Sequence, residues 1–125
     1  MSKRRPVSVM LVEDDASIAQ LYSMKLRMDG FSVHLAADGT TADLIFDRAA
    51  PQVVCVDSRL PGESGRGRAE RYAGAGAIVL LLTNDQESFE HPPRGVVRSL
   101  LKSRTNPGQL SATIAQLVTQ KAPPR

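Results

Sequence analysis

Four short strand-like segments, three of them largely apolar and each ending on a residue able to do chemistry, constrain this chain more than any other feature. Val7 to Val12 stops at Glu13, Asp14 and Asp15, Val53 to Val56 at Asp57, Ala77 to Leu82 at Thr83, and Val96 to Leu101 at Lys102. The first three, with few polar residues, read as strands buried on both faces, and Val96 to Leu101, which contains Arg98 and Ser99, reads as a fifth strand. Segments of helical period lie between them. Ile18, Leu21, Tyr22 and Leu26 mark a helix over 16–28, capped by Asp15 and stopped at Asp29-Gly30. Phe31 to Ala36 supplies a second strand, and Thr41 to Ala49 a second helix closed by Pro51.

The second half of the chain is more broken. A polar, glycine-rich loop over 58–67 leads to a short helix near 68–73 and the Gly74-Ala75-Gly76 break. Pro92 and Pro93 forbid a long helix over 84–95, and Pro107 opens a last helix carrying Leu110, Ile114, Leu117 and Val118. Five strands alternating with helices imply right-handed crossovers and one parallel sheet covered on both sides, a doubly wound α/β domain. A length of 125 residues suits one core. We expect that domain over 7–119, a basic tail over 1–6, and at 120–125 a tail or the start of a linker.

Composition narrows the function classes. The net charge of +3 looks basic, but Lys3, Arg4, Arg5, Lys121 and Arg125 carry five positives at the ends, which leaves residues 7–120 at −2. The folded part offers no basic field for nucleic acid. Aromatics at 4%, with no Trp, supply no base-stacking platform. Cys55 stands alone in an apolar run, without a disulfide partner or zinc spacing, and reads as a small core residue. No stretch approaches the roughly 18 apolar residues of a membrane span, and acids interrupt the N-terminal region before a signal sequence can form. A cytoplasmic protein with no direct nucleic-acid or membrane partner is expected.

Ligands of open parallel sheets bind outside the carboxyl ends of the strands. Strands one, three, four and five end on the acid cluster, Asp57, Thr83 and Lys102, and these ends converge if the strand order is 2-1-3-4-5. Carboxylates crowded at the rim of a low-dielectric core repel one another unless a cation or proton is supplied. Magnesium, which favours oxygen ligands and a phosphate partner, fits such a cluster. One aspartate could then act as a nucleophile toward a phosphoryl group. Taken singly the residues are ordinary: Asp15 is a helix cap, Thr83 a strand-end hydroxyl, Lys102 a surface amine. Their succession at consecutive strand ends carries the inference.

Over residues 7 to about 119 the chain resembles a bacterial two-component response-regulator receiver domain. The matching residues are Val9 to Asp15, Val53 to Asp57 with Leu60-Pro61-Gly62 and Gly65, Leu81-Leu82-Thr83, and Leu101-Lys102. The resemblance implies a flavodoxin-like three-layer sandwich. It makes Asp57 the phosphoacceptor, Thr83 the switch hydroxyl and Lys102 the phosphate-binding lysine. Glu13, Asp14, Asp57 and the backbone carbonyl of Arg59 would hold Mg2+ or Mn2+. The implied donor is a histidine kinase, a phosphotransfer protein or acetyl phosphate. The implied output face is formed by strand four, helix four, strand five and helix five, for a downstream protein or a second copy.

Several positions depart from that pattern. Asn84 follows the switch hydroxyl where a small residue is common, and its bulk is expected to narrow access to the phosphoacceptor. Ser99 stands where an inward-swinging aromatic is usual, and Ser103 replaces the proline after the lysine. Thr83 lies 26 residues after Asp57, and Lys102 lies 19 after Thr83, which predicts a short third helix and a fourth of one or two turns. Arg94, Arg98, Lys102 and Arg104 form a basic segment, either a solvated edge or a docking surface for an acidic partner. A pseudo-receiver that binds a partner without being phosphorylated is the alternative. A nucleotide enzyme is a third reading, from Gly62 to Ala69, but Arg68 and Ala69 replace the lysine and hydroxyl of a P-loop.

Overall fold

The computed structural model describes residues 5–121, so Met1 to Arg4 and the last four residues of the expected tails lie outside the described residues. The sheet strands are β1 (Ser8–Val12), β2 (Ser32–Ala36), β3 (Val53–Asp57), β6 (Ile78–Thr83) and β7 (Arg98–Leu101). They are parallel throughout, in the order β2-β1-β3-β6-β7, which is the expected 2-1-3-4-5 topology. The helices are α1 (Ala16–Met28), α2 (Gly39–Ala49), α3 (Arg66–Gly74), α4 (Gln86–Glu90) and α5 (Pro107–Lys121). No helix among the described residues is long and apolar enough to cross a membrane.

Successive residues of the central strands face opposite sides of the sheet, and over 9–12, 53–56 and 78–82 every one of them is apolar. Val9, Leu11, Val53, Cys55, Leu80 and Leu82 pack with Tyr22 and Leu26 of α1 and with Leu110, Ile114 and Leu117 of α5. Met10, Val12, Val54, Val56, Val79 and Leu81 face the other way, toward Ala42, Ala69 and Tyr72 of α2 and α3. Cys55 is wholly buried, and burial pushes its thiol up to about 12. It is a core residue, as its apolar run implies.

Local chemistry sets the ends of the elements. Asp15 caps α1 by accepting from the Ser17 and Ile18 N–H groups, and Gly30, at φ +95, turns the chain after it. The inward stripe of α1 is Ala19, Tyr22, Ser23 and Leu26. Leu21, which shares the helical spacing of Ile18, Tyr22 and Leu26, points to solvent with Met24 and Met28, because the stripe at 100° per residue passes through Tyr22 instead.

Differences from the sequence reading cluster around α3 and α4. Part of the loop over 58–67 is a small antiparallel hairpin, β4 (Arg59–Leu60) and β5 (Glu63–Ser64), turned at Gly62 with φ +73. The glycines expected to make a flexible loop thus make a tight turn and the start of α3. The fourth helix is a five-residue turn capped by Asp85, whose side chain accepts from the Ser88 N–H. Its length agrees with the short spacing and the two prolines behind it. The strand expected from Val96 begins at Arg98, and a 3-10 turn over Lys102–Arg104 was not foreseen.

Candidate phosphoacceptor site

The parallel register puts Asp57 opposite Leu82, so β3 and β6 carry Asp57-Ser58 and Thr83 side by side to the rim of the sheet. β1 runs alongside β3 and delivers Glu13 and Asp14 to the same edge. One carboxylate oxygen from each of Glu13, Asp14 and Asp57 lies within 4.8 Å of the others. The three acids line a cleft of about 500 Å³ with Arg59, Thr83, Asn84 and Lys102. Every sequence-predicted site residue therefore lines one cavity. The third acid of the cluster, Asp15, has its carboxylate committed to the α1 cap.

Burial makes this arrangement electrostatically tense. Glu13 and Asp57 are 2% and 4% exposed, whereas Asp14 is open to solvent. Desolvation pushes the Glu13 carboxyl up to about 7; the Asp15 N–H, donating at 3.1 Å, works against that, and the charge of Asp57 adds to it. The Lys102 ammonium answers both acids, donating to Asp57 Oδ2 at 2.6 Å and to Glu13 Oε1 at 3.0 Å. Its own burial acts to lower the amine pKa, but the two carboxylates outweigh it and the net shift is upward. Lys102 is thus drawn away from the basic segment, whose Arg94, Arg98 and Arg104 stay exposed.

The surroundings hold these groups still. The Arg59 N–H donates to Asp57 Oδ1 at 3.0 Å and fixes the second carboxylate oxygen. Gly65 packs so closely on Asp57 that a Cβ there would overlap the Asp57 carbonyl oxygen. The turn after Lys102 is tied down twice. The Tyr22 hydroxyl donates to the Thr105 carbonyl at 2.8 Å, and the Ser103 N–H donates to Asn84 Oδ1 at 2.9 Å. Thr83 is wholly buried, and its Oγ1 accepts from the Ser58 hydroxyl at 2.7 Å and from the Asp85 N–H at 2.9 Å.

The roles of Ser58 and Tyr22, and the bond that Asn84 accepts from Ser103, go beyond what the sequence predicts. Ser58 adjoins the predicted nucleophile, a signal that could have been read; the reach of Tyr22 across 83 residues has no local signature. The Ser99 hydroxyl is buried without a partner beside a groove lined by Asn84, Phe89 and Arg104, and no aromatic side chain fills that position of β7. The near-P-loop segment makes no phosphate cradle. Arg68 instead bridges Glu63 of the hairpin and Asp43 of α2.

The donor set suits a hard divalent cation: oxygen ligands only, one buried acid held well above its usual pKa, and one exposed acid at the mouth. Fold and cleft together define a doubly wound α/β domain with a carboxylate–lysine pocket at its topological switch point. No protein-family model matches the chain. The Mycobacterium tuberculosis transcriptional regulatory protein TrcR is 37% identical over 114 residues, 90% of this chain and 44% of that protein. The chain spans less than half the length of the curated relatives it matches. The beryllofluoride-activated DrrB receiver domain superposes with a TM-score of 0.77 at 27% identity, over 92% of this chain and 99% of that one. The Francisella response regulator 1452 receiver domain, at 21% identity, shares the fold with a TM-score of 0.82 over 94% of this chain and 100% of that one. The chain belongs to the response-regulator receiver domains.

Proposed function

We propose that this receiver, spanning about 7–119, accepts a phosphoryl group on Asp57 in a Mg2+- or Mn2+-dependent reaction and signals by the resulting change of shape. The observation that carries the reading is Asp57 itself: a nearly buried carboxylate at the end of β3, with Glu13 and Asp14 beside it and an ammonium on one oxygen. The ordered residues that do the chemistry all line one open cleft.

An Asp57 oxygen attacks the phosphorus of a phosphohistidine or of acetyl phosphate. The new O–P bond forms as the P–N or P–O bond of the donor breaks, and the imidazole or acetate leaves with the bonding electron pair. Glu13, Asp14, Asp57 and the Arg59 carbonyl are the groups we assign to the cation, which when bound neutralises charge on the transferring oxygens. The Arg59 N–H holds Asp57 in line, and Lys102 passes from the carboxylate to the phosphoryl group. Thr83 then donates its hydroxyl to a phosphoryl oxygen and moves the start of α4 with it, since its Oγ1 also holds the Asp85 N–H.

The expected donor is a histidine kinase or phosphotransfer protein of the cytoplasm. Leu21, on the exposed apolar face of α1, adjoins Lys102 and offers such a donor a contact surface. The expected output face is formed by β6, α4, β7 and α5, where Arg94, Arg98 and Arg104 would suit an acidic partner or a second copy. Incubation with Mg2+ and acetyl phosphate should give the mass of one added phosphoryl group, lost in Asp57→Asn. No adduct, and no response of the amide spectrum to Mg2+ and beryllofluoride, would leave the pseudo-receiver reading in its place.

A further inference from the structure

Ser58 brings a second hydroxyl to the end of β3, and phosphoryl transfer as described gives it no task. The residue is 6% exposed and Thr83 is wholly buried. The Ser58 backbone is anchored on both sides: its N–H donates to the Leu82 carbonyl at 2.8 Å, and its carbonyl accepts from the Gly65 N–H at 2.9 Å. From that fixed position the Ser58 hydroxyl donates to Thr83 Oγ1 at 2.7 Å, while the Asp85 N–H donates to the same oxygen at 2.9 Å. A threonine hydroxyl has two acceptor sites, and both are filled. Among the described residues no hydrogen bond joins Thr83 to Asp57.

We propose that Ser58 is a positioning residue that latches Thr83 in its resting place and so sets the cost of turning Thr83 toward a phosphoryl group. The latch rests on the phosphoacceptor reading of Asp57. Turning Thr83 breaks the bond and leaves the Ser58 hydroxyl unpaired in a nearly buried position, which is costlier than losing an exposed bond. A ligand shifts a two-state equilibrium only by what it gains in one state over the other. A bond present only at rest therefore lowers the apparent affinity for any phosphoryl mimic, and it does so through Thr83.

The test titrates the Mg2+-loaded chain with beryllofluoride and follows the Asp85 amide by NMR. Ser58→Ala should lower the half-saturating concentration roughly three- to tenfold, the worth of one buried hydrogen bond. Ser58→Thr, which keeps the hydroxyl, should restore the parent value. In a Thr83→Ala background, Ser58→Ala should change nothing. Without metal or beryllofluoride, the Asp85 amide of Ser58→Ala should already lie displaced toward its position in the loaded parent, a shift that a purely structural residue would not give. Unchanged affinity with an unmoved amide overturns the latch while leaving Asp57 as phosphoacceptor. Weaker binding also overturns it, because the Ser58 hydroxyl would then serve the phosphoryl group directly. If the parent chain itself ignores beryllofluoride, the phosphoacceptor reading fails and takes the latch with it.

Discussion

Lys102 Nζ stands 2.6 Å from Asp57 Oδ2, and from that position the same ammonium also satisfies Glu13. One lysine, brought from the end of β7, offsets two nearly buried carboxylates brought from β3 and β1. Removing it should expose how much of the repulsion it carries. Lys102→Met should lower the unfolding free energy by about 2 kcal/mol without metal, less than a fully buried pair because proton uptake by Glu13 relieves part of the charge. Mg2+ should stabilise the variant more than the parent. Urea unfolding with and without Mg2+ measures both effects.

Glu13 predicts a pH dependence whose sign follows from its raised pKa. The folded chain holds the Glu13 proton up to about 7, whereas the unfolded chain releases it near the ordinary value of 4.5. This group therefore favours the fold fully below 4.5, and its contribution is lost as the pH rises through about 7. Glu13→Gln, uncharged at every pH, should flatten that part of the stability profile. Protons and the divalent cation compete for the same carboxylate, so Mg2+ affinity measured by calorimetry should fall as the pH drops below about 7.

Gly65 lies at φ −76, a backbone conformation open to any residue, so its requirement is one of space. The methyl of Gly65→Ala would meet the Asp57 carbonyl oxygen. The expected cost is about 1–3 kcal/mol of stability, with a larger loss in the rate of acetyl phosphate labelling because the end of β3 must shift. Chemical denaturation and intact mass against time separate the two. Equal proportional losses in Gly67→Ala, where a Cβ meets nothing, would defeat the explanation.

Asp43 joins α2 to α3. It accepts from Arg68, Arg71 and the Tyr72 hydroxyl, and the Tyr72 ring stacks on Phe46 with centroids 4.4 Å apart. Burial acts to raise the Asp43 pKa, but the Tyr72 hydroxyl and the guanidinium groups outweigh it and hold the carboxyl below its usual range. Asp43→Ala should cost about 1–2 kcal/mol at neutral pH, since it also leaves the Tyr72 hydroxyl unpaired. The difference from the parent should shrink in acid, where the parent carboxylate becomes protonated; thermal unfolding at pH 7 and pH 3 reads it.

The sheet and the site were legible for one reason: each central strand is apolar on both faces, and each stops abruptly on a polar residue. Val53 to Asp57 needs no tertiary information to be recognised, and parallel topology then carries Glu13, Asp57, Thr83 and Lys102 to a common edge. Very short elements, and choices decided by long-range contacts, are harder to read. The β4–β5 hairpin spans two residues on each side, too short for a periodic signal. Leu21 and Tyr22 both fit a helical stripe, and the choice between them is made by α5 and the turn at Thr105. The bulk of Asn84 is legible in the sequence, but not that its side-chain carbonyl oxygen is occupied by the Ser103 N–H.

The five residues of α4 are far fewer than the roughly 12–15 a helix needs to persist by itself. Besides its packing on β6 and β7, it is held at its start by Asp85, whose side chain caps the turn while its amide is tethered to the Thr83 oxygen. Under the proposed switch, a pull on the Thr83 oxygen would withdraw that tether from a single turn, so the signal expected at this face is a loosening of the segment rather than the displacement of a rigid rod.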